Sequence, residues 1–381
     1  MKKGILMRVM RFKVVGLNGV SNNVVDIDLS PELTILTGRN GCGKTSILRI
    51  LWYCISPNVE RVFKEYDFKS VELTTDISLL KLNKGDALRA CYANTETGEK
   101  ISFDDSDRNP IPSVKLPKMP RSRRGSFLDG LEEINDRIRG DGKGSLFFPT
   151  YRRIEDNNLE REGARYRFFD IAESIDRHSN ELTVDSHRFI TAVSTKDITD
   201  LLVSHYAQIS SEALGLRANT LIEIENELDA AVAKDIHLDT KDRALERIRE
   251  IVKNSNGRQE ELFRPIHEVE KIVKLFVDDK KISFGESLSF GDVERVVSAG
   301  KLSAGEKQIL SFLVYNAFFR KIPIIIDEPE LSLHVDWQRR LIRALRTQNT
   351  DNQLIMATHS PFIYSRYSDF EHQLGDSGVE G

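Results

Sequence analysis

The run Gly38-Arg39-Asn40-Gly41-Cys42-Gly43-Lys44-Thr45 constrains this chain more than any other segment. It fits the pattern G-x-x-x-x-G-K-[ST]. Apolar residues Leu33 to Thr37 predict a strand entering the turn, and Ser46 to Cys54 a helix leaving it. Glycines let backbone N–H groups converge on phosphate oxygens, and a helix N-terminus adds partial positive charge. Lys44 is placed to reach the β- and γ-phosphates of a nucleotide, and the Thr45 hydroxyl to ligate Mg²⁺. Residues 38–46, through Ser46, form the candidate ATP-binding segment. The bland alternative is an ordinary tight turn.

Far downstream, Ile322-Pro323-Ile324-Ile325-Ile326-Asp327-Glu328 is an apolar run closed by two carboxylates. A central parallel strand needs such a run, and ligands gather at the carboxyl ends of such strands. Asp327 suits the environment of Mg²⁺. Glu328 suits a general base that orients water for attack on the γ-phosphorus. Alone, the pair also reads as strand-end charge. Leu302-Ser303-Ala304-Gly305-Glu306-Lys307-Gln308 opens an apolar helix, and by itself is a capping box from Ser303 to Glu306. His359, in Ala357-Thr358-His359-Ser360-Pro361, follows a last buried strand, Leu354 to Ala357; alone it is a loop histidine.

Between these ends, strands are expected at Arg11–Val15, Val24–Leu29, Val71–Leu82, Arg89–Ala93, Leu146–Phe148 and Ile282–Phe290. The segment 104–124 reads as a loop bearing the bases Lys115, Lys118, Arg121, Arg123 and Arg124, either solvated or a phosphate-binding patch. From about Phe169 to Leu275 the pattern is helical. Apolar stripes run Leu221, Ile224, Leu228, Val232; then Leu245, Ile248, Val252; then Leu262, Ile266, Val269, Val273. The expectation is core rather than partner surface. With breaks at Asp239-Thr240 and Asn254–Gly257, it is three helices in a compact lobe, without a long coiled coil.

Charge is nearly balanced, with 55 basic and 59 acidic residues, so the whole does not advertise a nucleic-acid binder. No run approaches the ~20 apolar residues of a membrane span. Neither a signal peptide nor metal-ligand spacing of Cys42, Cys54 and Cys91 is read, so a reduced cytoplasmic setting without membrane partners is expected.

The order of phosphate loop, LSAGE, IIIDEPE and ATHSP resembles the ABC-type ATPase heads of the SMC, RecF and OLD-like class. The resemblance covers about Met7 to Ser56 and Ser283 to Ser365. It implies an α/β P-loop ATPase head, a mixed sheet with an antiparallel N-terminal subsheet, and a helical insertion lobe. Residues 1–155 and 281–381 would be the two halves of the head, with the lobe at 156–280. ATP and Mg²⁺ would be the cofactors. Ser303 and Gly305 would touch the γ-phosphate held by another protomer, and His359 would be the switch histidine, so two heads would meet face to face. Glu330-Leu331-Ser332-Leu333-His334 would be the loop across that interface. One departure stands out: such heads place a Mg²⁺-ligating glutamine after an early strand, and this chain has no Gln before Gln208. A polar residue of the segment 146–155 is expected to substitute, with the choice among them open.

The Pro149-Thr150-Tyr151-Arg152-Arg153-Ile154-Glu155 wording also resembles ATPase subunits of anti-phage systems such as PARIS. That resemblance implies an ATP-driven sensor or scaffold controlling a separate effector, of which a TOPRIM-like nuclease is one form, with nucleic acid or a phage protein as trigger. The 22 residues from Ser360 to Gly381 give the expectation that a nuclease would act in trans. The alternative is a DNA-repair or DNA-clamp ATPase of RecF or SMC type, with Arg121, Arg123, Arg124, Arg152 and Arg153 against phosphates. A transporter ATPase subunit is disfavoured by the lobe and the missing glutamine.

Overall fold

A computed structural model of the chain describes residues 7–19, 24–85, 88–104, 121–141, 144–150, 153–154, 177–193, 195–233, 238–279 and 303–375. Contacts divide it into two units, Met1–Val193 with Phe319–Gly381, and Ser194–Phe318.

The first unit holds the expected α/β head. Strands β1 (Val9–Val15), β2 (Val24–Asp28), β4 (Ser70–Thr75), β5 (Ser78–Lys84), β6 (Leu88–Asn94) and β7 (Lys100–Asp104) make an antiparallel sheet in the order β2-β1-β4-β5-β6-β7. Alternation turns one face inward, with Phe12, Val14, Val71, Leu73, Leu80 and Leu82 buried. The stretch expected as one strand, Val71 to Leu82, is a tight hairpin of β4 and β5, because Thr75 and Ser78 hydrogen-bond each other at the turn.

A second sheet has six strands, all parallel: β3 (Leu33–Gly38), β8 (Ser145–Phe148), β10 (His187–Phe189), β12 (Pro323–Asp327), β13 (Gln353–Ala357) and β14 (Glu371–Leu374), in the order β10-β8-β12-β13-β3-β14. The short β9 (Arg153–Ile154) pairs apart from it with residues 192–193. Every residue of β8, β12 and β13 is buried, as strands covered on both faces require. Helix α1 (Lys44–Ile55) shares one apolar core with both sheets, and nine of its 12 residues are buried, so it is covered nearly all round. Trp52 fixes its place: its ring lies 5.6 Å from Phe147 and 5.2 Å from Phe189, and its indole N–H donates to Ser145 Oγ at 3.0 Å. Ser145 Oγ in turn meets His187 Nδ1 at 2.8 Å, and burial pushes that imidazole down to about 4.

Among the described residues two helices lie between α1 and β8, α2 (Val59–Glu65) and α3 (Arg121–Gly140). The expected loop 104–124 therefore ends in a helix, with Arg121, Arg123 and Arg124 in its first turns; Lys115 and Lys118 lie outside the described residues. The helix forms because Phe127, Leu131, Ile134 and Ile138 bury one face, a stripe that begins just past the basic run. Residues 280–302, with the strand expected at Ile282–Phe290, also lie outside the described residues.

The second unit contains α4 (Thr195–Ala233), α5 (Leu238–Asp279) and α6 (Ala304–Phe318), which packs on the other two. It therefore begins and ends later than the expected lobe and takes in the helix that Ser303 caps. The segment from about Phe169 was expected to be helical, but β10 and the short β11 (Ala192–Val193) precede α4. The expected compact trio is instead a long two-helix hairpin. Arg217–Gln259 at 3.4 Å, Thr220–Ser255 at 2.8 Å and Glu227–Arg247 at 3.5 Å step in opposite directions, so α4 and α5 run antiparallel. Their seam is Ile209, Ala213, Leu216, Thr220, Ile224 and Glu227 against Ala244, Ile248, Ile251, Ser255 and Gln259, spaced by threes and fours as in a coiled coil. Small and polar seam residues hid this spacing from an apolar count. Asn254–Gly257 does not break α5; one mid-helix glycine costs only about 1 kcal/mol against alanine. Of the stripes expected as core, Ile266 and Val269 are buried and Ile224 and Ile248 half-buried, but Leu221, Leu228, Leu245 and Val252 are exposed. The side chains of Val232 and Val273 lie outside the described residues.

Candidate functional site

The loop between β3 and α1 carries the densest set of constraints. Gly38 has φ +145°, and a Cβ there would lie 2.4 Å from the Leu374 carbonyl of β14 and 2.9 Å from Cys42 Sγ. Only glycine lets the two strands approach so closely at the loop's entrance. Gly43, at φ +95°, stands at the N-cap of α1 and supplies no side-chain cap, so the first-turn N–H groups stay available to an anion. Arg39 and Asn40 are exposed, and Cys42, Thr45 and Ser46 half-buried. Lys44 is buried, and its ammonium donates to the carbonyls of Gly38 at 2.9 Å and Arg39 at 3.0 Å.

The acidic strand end reaches the same place. β12 pairs with β13, which pairs with β3, so Asp327 and Ala357 end their strands on the phosphate-loop side of the sheet. Asp327 is fully buried. Glu328 N–H donates to the Ala357 carbonyl at 2.9 Å and holds φ +47°, a left-handed conformation that costs a non-glycine residue about 1 kcal/mol or more. His359 bridges the groups: Nδ1 lies 3.4 Å from the Lys44 ammonium, and Nε2 3.8 Å from Glu328 Oε1. An ammonium can only donate, so Nδ1 is the acceptor and the proton of a neutral ring sits on Nε2, toward Glu328.

Glu330 sets the histidine in place. Its carboxylate accepts the His359 N–H at 2.6 Å and the Thr358 hydroxyl at 2.8 Å. The residues expected to cross an interface thus begin with a carboxylate turned inward, while Leu331, Ser332 and His334 are exposed. The Glu328 carboxyl is raised above its ordinary 4.5, by burial first and then by Asp327 and Glu330, with His359 and Lys44 opposing.

Of the segment 146–155, whose residues 151, 152 and 155 and side chains of 153 and 154 lie outside the described residues, Thr150 is seen at the site: its hydroxyl donates to Asp327 Oδ2. β8 and β12 are parallel neighbours, with Phe148 opposite Ile326, which brings Thr150 to the acidic strand end. Nothing in local spacing singles it out, because the pairing of the two strands is what selects it.

Ser303 and Gly305 lie in the second unit, at the start of α6. The capping box read from the sequence is formed: Ser303 N–H donates to Glu306 Oε2 at 2.7 Å, and Glu306 N–H to Ser303 Oγ at 3.3 Å.

Thr45 and Asp327 offer hard oxygen donors of the type Mg²⁺ prefers. Among the described residues no group of three or more His, Cys, Asp or Glu converges on one point. Two such donors leave the remaining positions of a Mg²⁺ ion to phosphate oxygens and water. Among the same residues no helix is long and apolar enough to cross a membrane. Cys42, Cys54 and Cys91 are free thiols.

The AAA ATPase domain family matches residues 7–364. The chain is 23% identical over 362 residues to the "Retron Vc95 probable ATPase" of Vibrio cholerae serotype O1 biovar El Tor, spanning 87% of this chain and 66% of that one. It is 20% identical over 398 residues to the "Retron Ec83 probable ATPase" of Escherichia coli, spanning 95% and 70%. Among solved structures it is similar to the SMC head domain from Thermotoga maritima, at 13% identity and a TM-score of 0.38 over 96% of this chain and 94% of that one. A second is the Smc head domain with an extended coiled coil from Pyrococcus furiosus, at 16% and 0.36 over 94% and 92%.

Proposed function

The chain belongs to the AAA ATPase domain family, and from that premise we propose that it binds Mg-ATP on residues 38–46 and hydrolyses it to ADP and phosphate. The observation that carries this reading is the convergence of Lys44, Glu328 and His359, from three distant segments, at one end of the parallel sheet. Lys44 leaves its loop carbonyls to hold the β- and γ-phosphates, while the backbone N–H groups of the loop and the first turn of α1 receive the remaining oxygens. Thr45 and Asp327 would hold Mg²⁺, which would supply neutralisation of phosphate charge. Thr150, through its hydrogen bond to Asp327, stands where ABC-type heads place a glutamine. Glu328, its carboxyl raised above the ordinary value by burial and by Asp327 and Glu330, takes the proton of the attacking water. His359, oriented by Glu330, contacts the γ-phosphate. Ser303 and Gly305 complete the site of a second head, so the active unit is a head-to-head dimer or a larger assembly.

At the level of the system, we read the chain as the ATP-driven sensor or scaffold for a separate effector in anti-phage defence. Both relatives are named as the probable ATPase of a retron, and that name supports a chain that works as one component of a system. The test pairs two measurements. Purified protein should hydrolyse ATP in the presence of Mg²⁺, and cells carrying the gene with its neighbours should resist phage only when Glu328 is intact. Resistance that is indifferent to Glu328→Gln would overturn the defence role of the ATPase, and absence of turnover in every assembly state would overturn the enzyme.

A further inference from the structure

A closed ring of hydrogen bonds stands behind His359, and the chemistry proposed above uses only its Glu330 member. Gln338 lies near the start of helix α7 (Val335–Thr347). Its side-chain NH₂ donates to the carbonyls of Leu333 at 2.8 Å and Glu330 at 3.4 Å. Its amide oxygen accepts the Ser360 hydroxyl at 2.6 Å. The Ser360 N–H donates to Thr358 Oγ1 at 3.0 Å, and the Thr358 hydroxyl to the Glu330 carboxylate at 2.8 Å, which returns to the start. His359 sits between Thr358 and Ser360, with its own N–H on the same carboxylate.

The direction of each link at Gln338 is fixed. The carbonyls of Glu330 and Leu333 can only accept, so the amide nitrogen faces them and the amide oxygen is left for Ser360. Ser360 has its hydroxyl to spare: it stands at the N-cap of the short helix Pro361–Tyr364 and makes no side-chain cap bond there. The loop held at the other end is strained. Glu328 and Ser332 have φ +47° and +64°, which non-glycine residues keep only where their surroundings over-determine them. Leu331 and Ser332 are exposed, whereas Thr358 and Ser360 are buried. Gln338 and Glu330 thus join an exposed, strained loop to the buried turn that carries the histidine.

From this ring we propose that Gln338 is a positioning residue for His359. It holds the loop at Glu330 and Leu333 and the turn at Ser360 as one unit, so that the imidazole keeps its place between Lys44 and Glu328. The inference rests on the reading of His359 as the contact to the γ-phosphate, and Gln338 acts on the reaction only through that histidine. Only a carboxamide satisfies both ends. A leucine fills the space and makes none of the bonds, and a glutamate sets an oxygen against two carbonyl oxygens. A push on Leu331 or Ser332 from outside reaches the imidazole by two routes, the Glu330 carboxylate and the bond from Gln338 to Ser360.

The experiment makes Gln338→Leu, Gln338→Glu and Ser360→Ala in the full chain, with far-UV circular dichroism to check folding. Steady-state ATP hydrolysis is measured, and the His359 ring is followed by the NMR signal of its Cε1–H, identified by its loss in His359→Ala. Each variant is expected to lower kcat by ~10-fold or more, the scale of a displaced catalytic group. KM should stay within about 2-fold, because residues 38–46 still hold the nucleotide. Gln338→Leu with Ser360→Ala should lose no more than Gln338→Leu alone, since both changes break one bond. In a His359→Ala background neither should lower kcat further. The His359 signal should shift in Gln338→Leu while that of the buried His187 stays. This signal needs no turnover, so a shift in a chain that hydrolyses nothing would uphold the positioning while the ATPase reading fails. Should the Gln338 variants fail to fold, Ser360→Ala carries the kinetic test. Wild-type kcat in Gln338→Glu or Ser360→Ala would overturn the proposal. So would an unmoved His359 signal in Gln338→Leu, or an equal loss of kcat when His359 is already absent.

Discussion

His359 Nδ1 lies 3.4 Å from the Lys44 ammonium, although 315 positions separate the two residues in the chain. The contact joins the loop after β13 to the loop after β3, and it makes the lysine the pivot of the site.

Lys44→Ala should remove this contact together with the bonds to the Gly38 and Arg39 carbonyls. Hydrolysis should fall by ~10²-fold or more, since a lost transition-state charge contact commonly has that effect. Steady-state phosphate release with a fluorescent-nucleotide titration checks it. Near-normal turnover would remove the loop from the catalytic machinery.

Glu328→Gln keeps the shape of the side chain and loses its basicity. Nucleotide binding should persist while the chemical step slows by ~10²-fold or more. ATP-bound heads should then accumulate as dimers or larger species during size exclusion with Mg-ATP, and shift toward smaller ones with ADP. Wild-type turnover in Glu328→Gln would place the base elsewhere.

The pH profile should carry the mark of the raised Glu328 carboxyl. The ionised form is the active one, so kcat should fall with acid along a limb above the ordinary 4.5. His359 is one of the groups holding that value down, so in His359→Ala the limb should move further up, provided residual turnover is followed. The sign for stability is the reverse of an ion-paired acid. The folded state binds this proton more tightly than the unfolded chain, so stability is lost as pH rises through the raised value. Glu328→Gln should therefore melt higher than wild type near neutrality and lose that advantage in acid; a lower melting temperature at neutral pH would contradict the assignment.

Thr150→Val removes the hydroxyl that Asp327 accepts while keeping nearly the same shape. The Mg²⁺ concentration for half-maximal turnover should rise by about 10-fold or more, the usual scale for losing a group that orients a metal ligand. Thr150→Ser should restore it. Unchanged Mg²⁺ dependence in the valine variant would separate Thr150 from the metal.

Composite sites predict rescue between two inactive proteins. Ser303→Arg spoils the contribution of one head, and Lys44→Ala spoils the loop of the other. A mixed dimer keeps one intact site and should regain part of the activity. Mixed dimers shown to form but silent at every ratio would count against sharing.

The four motifs were legible because each is contiguous: the phosphate loop, Ser303 to Glu306, the Asp327-Glu328 strand end and the turn at His359. Strand and helix periods located β3, α1, β12 and β13 for the same reason. What stayed hidden depends on pairing across the sheet. Thr150 becomes the partner of Asp327 only because β8 lies beside β12. Glu330 reads in the sequence only as the start of a loop across an interface, and its carboxylate also accepts the backbone N–H of His359. β14, Glu371-His372-Gln373-Leu374, has no apolar alternation and is a strand only because β3 offers it an edge. The α4–α5 hairpin misled for a different reason: its true seam is partly Thr220, Ser255 and Gln259, while the leucines counted as core face outward.

The position of β3 also governs when the protein can first work during its synthesis. β3 ends at Gly38, but its two neighbours in the sheet are β13, which begins at Gln353, and β14, which closes at Leu374 against Gly38 itself. A nascent chain on the ribosome thus carries its phosphate loop from the outset without the walls that hold it. Such long-range closure is slow to form. Until Leu374 has left the exit tunnel, the phosphate loop lacks the strand that closes against Gly38.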